Sequence, residues 1–159
     1  MIIINDKMRN NPLVSQLNLV NLRGKLANHY IADFLKILTY KEKSLFLDYN
    51  HCQSPPDKNS IMSSFIDLTG YECALNSVYL SDFTENDVPI DLVLLNQYCS
   101  EIKRNKDKAD VSAKIVFIAK IIDNGLIDIR VTFHLLRDNE YYLEKDIDIY
   151  NEAIIVIIA

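Results

Sequence analysis

Ala113-Lys114-Ile115-Val116-Phe117-Ile118-Ala119-Lys120-Ile121-Ile122-Asp123-Asn124-Gly125-Leu126-Ile127-Asp128-Ile129-Arg130-Val131-Thr132-Phe133-His134-Leu135 decides the fold. Ala113, Ile115, Phe117, Ala119 and Ile121 alternate with their neighbours, and so do Ile127, Ile129, Val131, Phe133 and Leu135. Successive side chains of a strand point to opposite faces, so each run reads as a strand with one apolar face. Asp123-Asn124-Gly125 between them marks a turn. A two-residue Asn-Gly turn would set Phe117 against Thr132 and Ile121 against Asp128. A three-residue loop sets Phe117 against Val131, Ala119 against Ile129 and Ile121 against Ile127. A one-residue slip moves every side chain to the other face, so the second pairing is expected, with Gly125 left-handed in a bulged hairpin.

The same test predicts a second hairpin around Arg137-Asp138-Asn139, pairing Phe133 with Leu143, Leu135 with Tyr141 and Ile129 with Ile147. A strand over residues 142–150 would put Leu143, Lys145, Ile147 and Ile149 on one face. Its other face would carry Tyr142, Glu144, Asp146, Asp148 and Tyr150, a row of carboxylates between two tyrosines. Arg130 would stand opposite Asp146, Thr132 opposite Glu144 and His134 opposite Tyr142. Ala153-Ile154-Ile155-Val156-Ile157-Ile158-Ala159 lacks polar alternation and reads as a strand buried on both faces. Truncating it should unfold the protein.

Upstream the periodicity changes. Leu26, Ala27, Tyr30, Ile31, Phe34, Leu35 and Leu38 recur at three-and-four spacing, predicting a helix over residues 25–39. Residues 44–49 suggest a short strand, and Ser60 could cap a helix that Gly70 ends. Residues 71–80 read equally as strand or helix. Asp87 and Pro89 are expected to open a helix through residue 103, with Ile90, Val93, Leu94, Tyr98 and Ile102 inward and Lys103 and Arg104 at its negative end. Residues 53–59, 81–89 and 103–110 look like loops. The expected fold is α+β, with N-terminal helices packed on a C-terminal antiparallel β-meander. One domain spans 1–159, helix-rich over 1–108 and a meander over 111–159.

Charge is uneven. Residues 1–80 hold 8 Lys/Arg against 7 Asp/Glu, whereas residues 81–159 hold 9 against 15. Asp138, Glu140, Glu144, Asp146, Asp148 and Glu152 crowd one segment with only Lys145 among them. Such a face repels nucleic acid and anionic membranes and speeds encounter with basic proteins. No apolar run reaches transmembrane length, and Met1-Ile2-Ile3-Ile4 is too short for a secretory core. Cys52, Cys73 and Cys99 are odd in number and unpaired in spacing, which suits reduced thiols in a cytoplasmic protein.

Catalytic constellations are missing. His29, His51 and His134 are isolated, so neither a metal nor another cofactor is expected. Gly24, Gly70 and Gly125 are too scattered to cradle a phosphate, and no serine sits in a nucleophile elbow. His51-Cys52 could be imagined as base and nucleophile, but neighbouring residues rarely face each other, and a loop thiol explains them better. Asp82, Glu85, Asp87 and Asp91 lack the glycine pivot and terminal glutamate of a cation loop, and helix capping accounts for them. The basic run from Lys103 to Lys108 has no aromatic platform for nucleic acid. The acidic face itself has a plain explanation as the solvated side of a sheet. Its charge concentration and flanking tyrosines favour a binding surface instead.

The stretch Thr132-Phe133-His134-Leu135-Leu136-Arg137-Asp138-Asn139-Glu140-Tyr141-Tyr142-Leu143-Glu144-Lys145-Asp146-Ile147 resembles hairpins in bacterial immunity proteins of contact-dependent growth inhibition systems. The resemblance covers roughly residues 112–150 and implies a non-enzymatic protein that binds a cognate toxin domain, often a nuclease, and blocks its working surface. Partner contacts are expected at Tyr142, Glu144, Asp146, Asp148 and Tyr150, with Arg130 and Asp128; these positions rest on the strand reading. The carboxylates would mimic phosphates on a basic toxin surface. The alternative is an acidic secretion chaperone holding effector segments on apolar patches, whose binding would respond little to salt.

Overall fold

Both alternating runs become strands. The computed structural model describes residues 1–19, 38–41, 43–47, 64–84, 90–123 and 126–159. The elements are β1 (Ile2–Ile4), α1 (Asp6–Arg9), a 3₁₀ segment (Pro12–Leu19), β2 (Leu38–Lys41), β3 (Ser44–Leu47), α2 (Leu68–Leu75) and β4 (Val78–Tyr79). They continue with α3 (Leu92–Lys108), β5 (Ile115–Asp123), β6 (Ile127–Leu135) and β7 (Ala153–Ile158), plus 3₁₀ turns at Leu80–Phe83 and Ile147–Ile149. The fold is α+β. Five strands in the order β1-β7-β5-β6-β4 form an antiparallel sheet, and β2 pairs with β3 separately.

This sheet is not the expected meander. After β6 the chain crosses one face of the sheet and returns as β7 on the far side of β5. The unbroken apolar run of β7 suits this place, because the main core covers Ala153, Ile155 and Ile157 on one face and the crossing segment covers Ile154 and Val156 on the other. The chain's two ends meet: Ile2 pairs with Ile157, Ile3 with Val156 and Ile4 with Ile155. The N-terminal part therefore contributes a strand as well as helices. Between β5 and β6 the register slides by two residues from expectation, setting Phe117 against Phe133 and Ile121 against Ile129. A two-residue slide keeps every side chain on its face, so alternation alone does not separate the two registers. The observed one brings the two phenyl rings within 6.0 Å. Gly125 lies outside the described residues.

One face of the sheet carries the main core. Ile115, Phe117, Ala119, Ile121, Ile129, Val131, Phe133, Ile155 and Ile157 join Leu92, Leu95, Tyr98, Cys99 and Ile102 of α3 and Met8 and Leu13 of the N-terminal segment. The opposite face holds a smaller cluster of Val116, Ile118, Ile154 and Val156, covered by Leu143, Ile147 and Tyr150 of the crossing segment.

Asp91 caps α3 by accepting from the amides of Val93 and Leu94, while Asp87 and Pro89 lie outside the described residues. Leu94, Tyr98 and Ile102 face inward as expected, but Val93 is 39% exposed and its place is taken by Leu95 and Cys99. The helix also runs past residue 103, through the stretch read as a loop, to Lys108. It ends in a Schellman arrangement: the Val111 amide donates to the Lys106 carbonyl and the Asp110 amide to that of Asp107. Asp110 stands at the left-handed position with φ 56°. Gly70 does not end a helix. It lies in the first turn of α2, donating its amide to the Asp67 cap at 2.7 Å. The undecided stretch 71–80 is both: helix to Leu75, then β4. The expected strand at 44–49 is β3, over Ser44–Leu47. The helix expected over 25–39 lies largely outside the described residues, but its last two positions, Leu38 and Thr39, belong to β2. Ser60, His29, His51 and Cys52 also lie outside them.

Candidate functional site

Residues 136–152 make the crossing, as a strap rather than a strand. The β6 edge where a second hairpin would form is already occupied. Val78 and Tyr79 pair with Val131 and Arg130. Beyond them the carboxylate and amide of Glu72 and Asn76 on α2 take up the backbone of Phe133 and Leu135. Displaced from the sheet, the strap turns Leu143, Ile147 and Tyr150 down onto the apolar face, at spacings of four and three. Its C-terminal part is tied to the N-terminal segment. The Asn5 side-chain amide donates to the Glu152 carbonyl at 2.8 Å, and the Asp6 backbone amide to Asp148 Oδ1 at 2.5 Å.

This geometry breaks up the expected acidic row. Tyr150 points inward, lies 5.4 Å under the Lys120 ammonium and accepts the Glu144 amide on its hydroxyl. Asp146 caps the 3₁₀ turn through the Asp148 amide at 3.1 Å. Glu144, Asp146 and Asp148 remain exposed, though not in one line. Tyr142 is 43% exposed, and the burial of the rest pushes its phenol up from its ordinary pKa. Arg130 faces β4: its Nε donates to Ser77 Oγ at 2.8 Å and its guanidinium lies 6.0 Å from the Tyr79 ring. Asp128 accepts the Ser81 hydroxyl at 2.6 Å. Thr132 and His134, expected on a solvated face, are buried, with the Thr132 hydroxyl donating to the Cys73 carbonyl of α2. The predicted pairs of Arg130 with Asp146, Thr132 with Glu144 and His134 with Tyr142 do not form, because no strand carries the second member.

Instead the strap gathers an open cleft of about 560 Å³, lined by Tyr141, Leu143, Glu144, Lys145, Asp146 and Ile149. Tyr141 is 62% exposed and Ile149 60% exposed, so two apolar side chains stand beside the carboxylates. The Lys145 ammonium lies 5.7 Å from the Tyr141 ring. The alternation puts Tyr141 and Ile149 on the inward face, whereas both are exposed. The inversion follows from one cause: the strap's inward positions keep helical-turn spacing, not the two-residue period of a strand.

A second polar cluster escaped sequence reading. Glu72, fully buried, receives both nitrogens of Arg137, Nη1 at 2.7 Å and Nη2 at 2.8 Å. Its oxygens also accept the amides of Leu45 at 2.6 Å and Leu135 at 2.8 Å. One helix turn on, Asn76 donates to the carbonyls of Leu45 and Phe133 and accepts the Leu47 amide. Two side chains four residues apart thus bridge the edges of β3 and β6. Burial pushes the Glu72 carboxyl up while the guanidinium and the two amides pull it down, and the net displacement is upward. The only hint in the sequence is a lone carboxylate inside the apolar run 71–75. Every polar group of the cluster is consumed by structure, and the arrangement offers no open face to a ligand.

Among the described residues no three His, Cys, Asp or Glu side chains converge as a metal site, and no helix is long and apolar enough to cross a membrane. Cys73 and Cys99 are buried free thiols, Cys73 pushed up to about 12 by desolvation. A family model matches residues 3–158, from within β1 to the end of β7. The chain belongs to the Uncharacterized protein PM0498 family. Uncharacterized protein PM0498 of Pasteurella multocida (strain Pm70) is 29% identical over 106 residues. That match covers 65% of this chain and 65% of the relative. No solved structure matches. The PM0498-family match begins in β1 and ends in β7, which pair with each other in this chain.

Proposed function

We propose that this chain is a non-catalytic immunity protein that binds a basic toxin domain through the outer surface of the strap. One observation carries the reading: a cleft whose rim is acidic and whose walls are exposed tyrosine and isoleucine. Glu144, Asp146 and Asp148 supply the charge that steers and orients a basic partner. Tyr141, Tyr142 and Ile149 supply area that gains by being covered, and aromatic anchors of this kind concentrate binding energy at interfaces. The contacts expected at Tyr150, Arg130 and Asp128 leave the proposal, since Tyr150 packs down on the sheet and Arg130 and Asp128 lie on β6 against Ser77 and Ser81, away from the cleft lining.

The test is co-purification with, and growth protection against, the product of the gene immediately upstream. A stoichiometric complex that weakens as salt rises, and that Glu144→Lys with Tyr141→Ala disrupts without lowering Tm, is the expected result. Absence of both complex and protection overturns the reading. A complex indifferent to salt and to Glu144→Lys points to the chaperone alternative.

A further inference from the structure

We propose that the strap cleft receives a single arginine or lysine side chain of the partner, and that Lys145 holds this place in the free chain; the inference rests on the binding reading above. The cleft already contains a cation on an aromatic face, the Lys145 ammonium 5.7 Å from the Tyr141 ring. Tyr141 is 62% exposed, so the place Lys145 occupies over its ring is reached from solvent. Glu144 and Asp146 flank the same space, yet among the described residues Lys145 makes no ion pair with either. The internal lysine therefore satisfies the ring and leaves the carboxylates for another cation. Leu143 and Ile149 offer apolar walls for the methylene stem of a long basic side chain.

An arginine competes well for such a site. Its planar guanidinium stacks on the phenol ring and presents a fork of donors to a carboxylate, which a lysine ammonium does not reproduce. A volume of about 560 Å³ holds such a side chain with its neighbouring peptide units. Binding then exchanges one cation for another: Lys145 swings to solvent as the partner's side chain enters. The exchange favours partners with arginine and disfavours weakly basic ones, so Lys145 acts as a specificity filter.

The experiment measures binding of a fluorescein-labelled hexa-arginine peptide by anisotropy at low salt, with amide chemical shifts locating the site. Lys145→Met is expected to tighten binding by about threefold or more, the scale of one exposed cation–π contact. Lys114→Met removes the same charge from an exposed position outside the cleft and is expected to change affinity less than about twofold. In a Tyr141→Leu background the gain from Lys145→Met should vanish. Equal effects of Lys145→Met and Lys114→Met, with shifts still centred on residues 141–149, overturn the place-holding role and leave the binding reading intact. Hexa-arginine that perturbs no amide in 141–149 overturns the cleft as a receptor for a basic side chain, whereas the binding reading stands or falls on the complex with the upstream gene product.

Discussion

Removing the Arg137 guanidinium should cost more than any surface charge on this protein. Its partner Glu72 has no solvent-exposed side-chain surface, and Arg137 itself is only 16% exposed. Arg137→Ala strands a buried carboxylate, a change worth about 3–5 kcal/mol. Glu72→Ala instead orphans the amides of Leu45 and Leu135, each at about 1–3 kcal/mol, so about 2–6 kcal/mol in all. Either loss is a large share of the roughly 5–15 kcal/mol that holds a domain folded. With a urea slope near 2 kcal/mol/M, a loss of about 4 kcal/mol lowers the midpoint by about 2 M. Arg137→Lys retains the charge but not the fork that reaches both carboxylate oxygens and the Lys43 carbonyl, so it should fall between wild type and Arg137→Ala. The assay is urea unfolding of the two alanine variants and their combination. A coupling energy of about 2 kcal/mol or more is expected, because the second deletion removes a group the first has already stranded. A loss under about 1 kcal/mol for Arg137→Ala, with no coupling, is the behaviour of an exposed pair and would refute the reasoning.

Three further outcomes follow from the geometry. Asp110→Gly should raise stability by about 0.5–1 kcal/mol in urea melts, since Asp110 holds φ 56° at a helix end where glycine carries no Cβ penalty; a neutral or lower midpoint contradicts this. His134 is buried as the neutral ring, Nδ1 2.9 Å from the Leu135 carbonyl, and desolvation holds its pKa below the ordinary 6.5. The unfolded chain then takes up a proton before the folded one, so stability is full above pH 6.5 and declines as pH falls below it. His134→Phe should flatten that part of the profile, and an unchanged slope would show that other groups govern it. Asn5→Ala should cost about 2–6 kcal/mol, because the fully buried Asn5 accepts the Met8 and Ile154 amides; hydrogen exchange should rise at Ile154 and along residues 144–152, and exchange confined to residues 1–8 would contradict its role as a tie for the strap.

Local pattern carried what depends on neighbours in sequence and missed what depends on competitors in space. Ile115, Phe117, Ile129 and Val131 were legible because alternation forces their face whatever pairs with them. Ala153 to Ile158 was legible because a run with no polar side needs burial on both sides. Residues 142–150 alternate almost as cleanly, yet alternation says only which side chains would share a face if a strand formed there. Whether one forms is decided by who holds the edge of β6. Val78 and Tyr79 hold part of it, and Glu72 and Asn76 hold the rest with side chains in place of backbone. Once excluded, the same residues redistribute: Ile149 goes out, Tyr150 goes in, and the carboxylates keep their exposure but lose their line. The candidate site inherits this history. Its charge was visible in the sequence as composition, whereas its cleft exists only because the segment lost the competition for the sheet. Tyr141 and Ile149 stay exposed on a strap already anchored by Leu143 and Ile147, and the proposed binding surface takes them as its contact area.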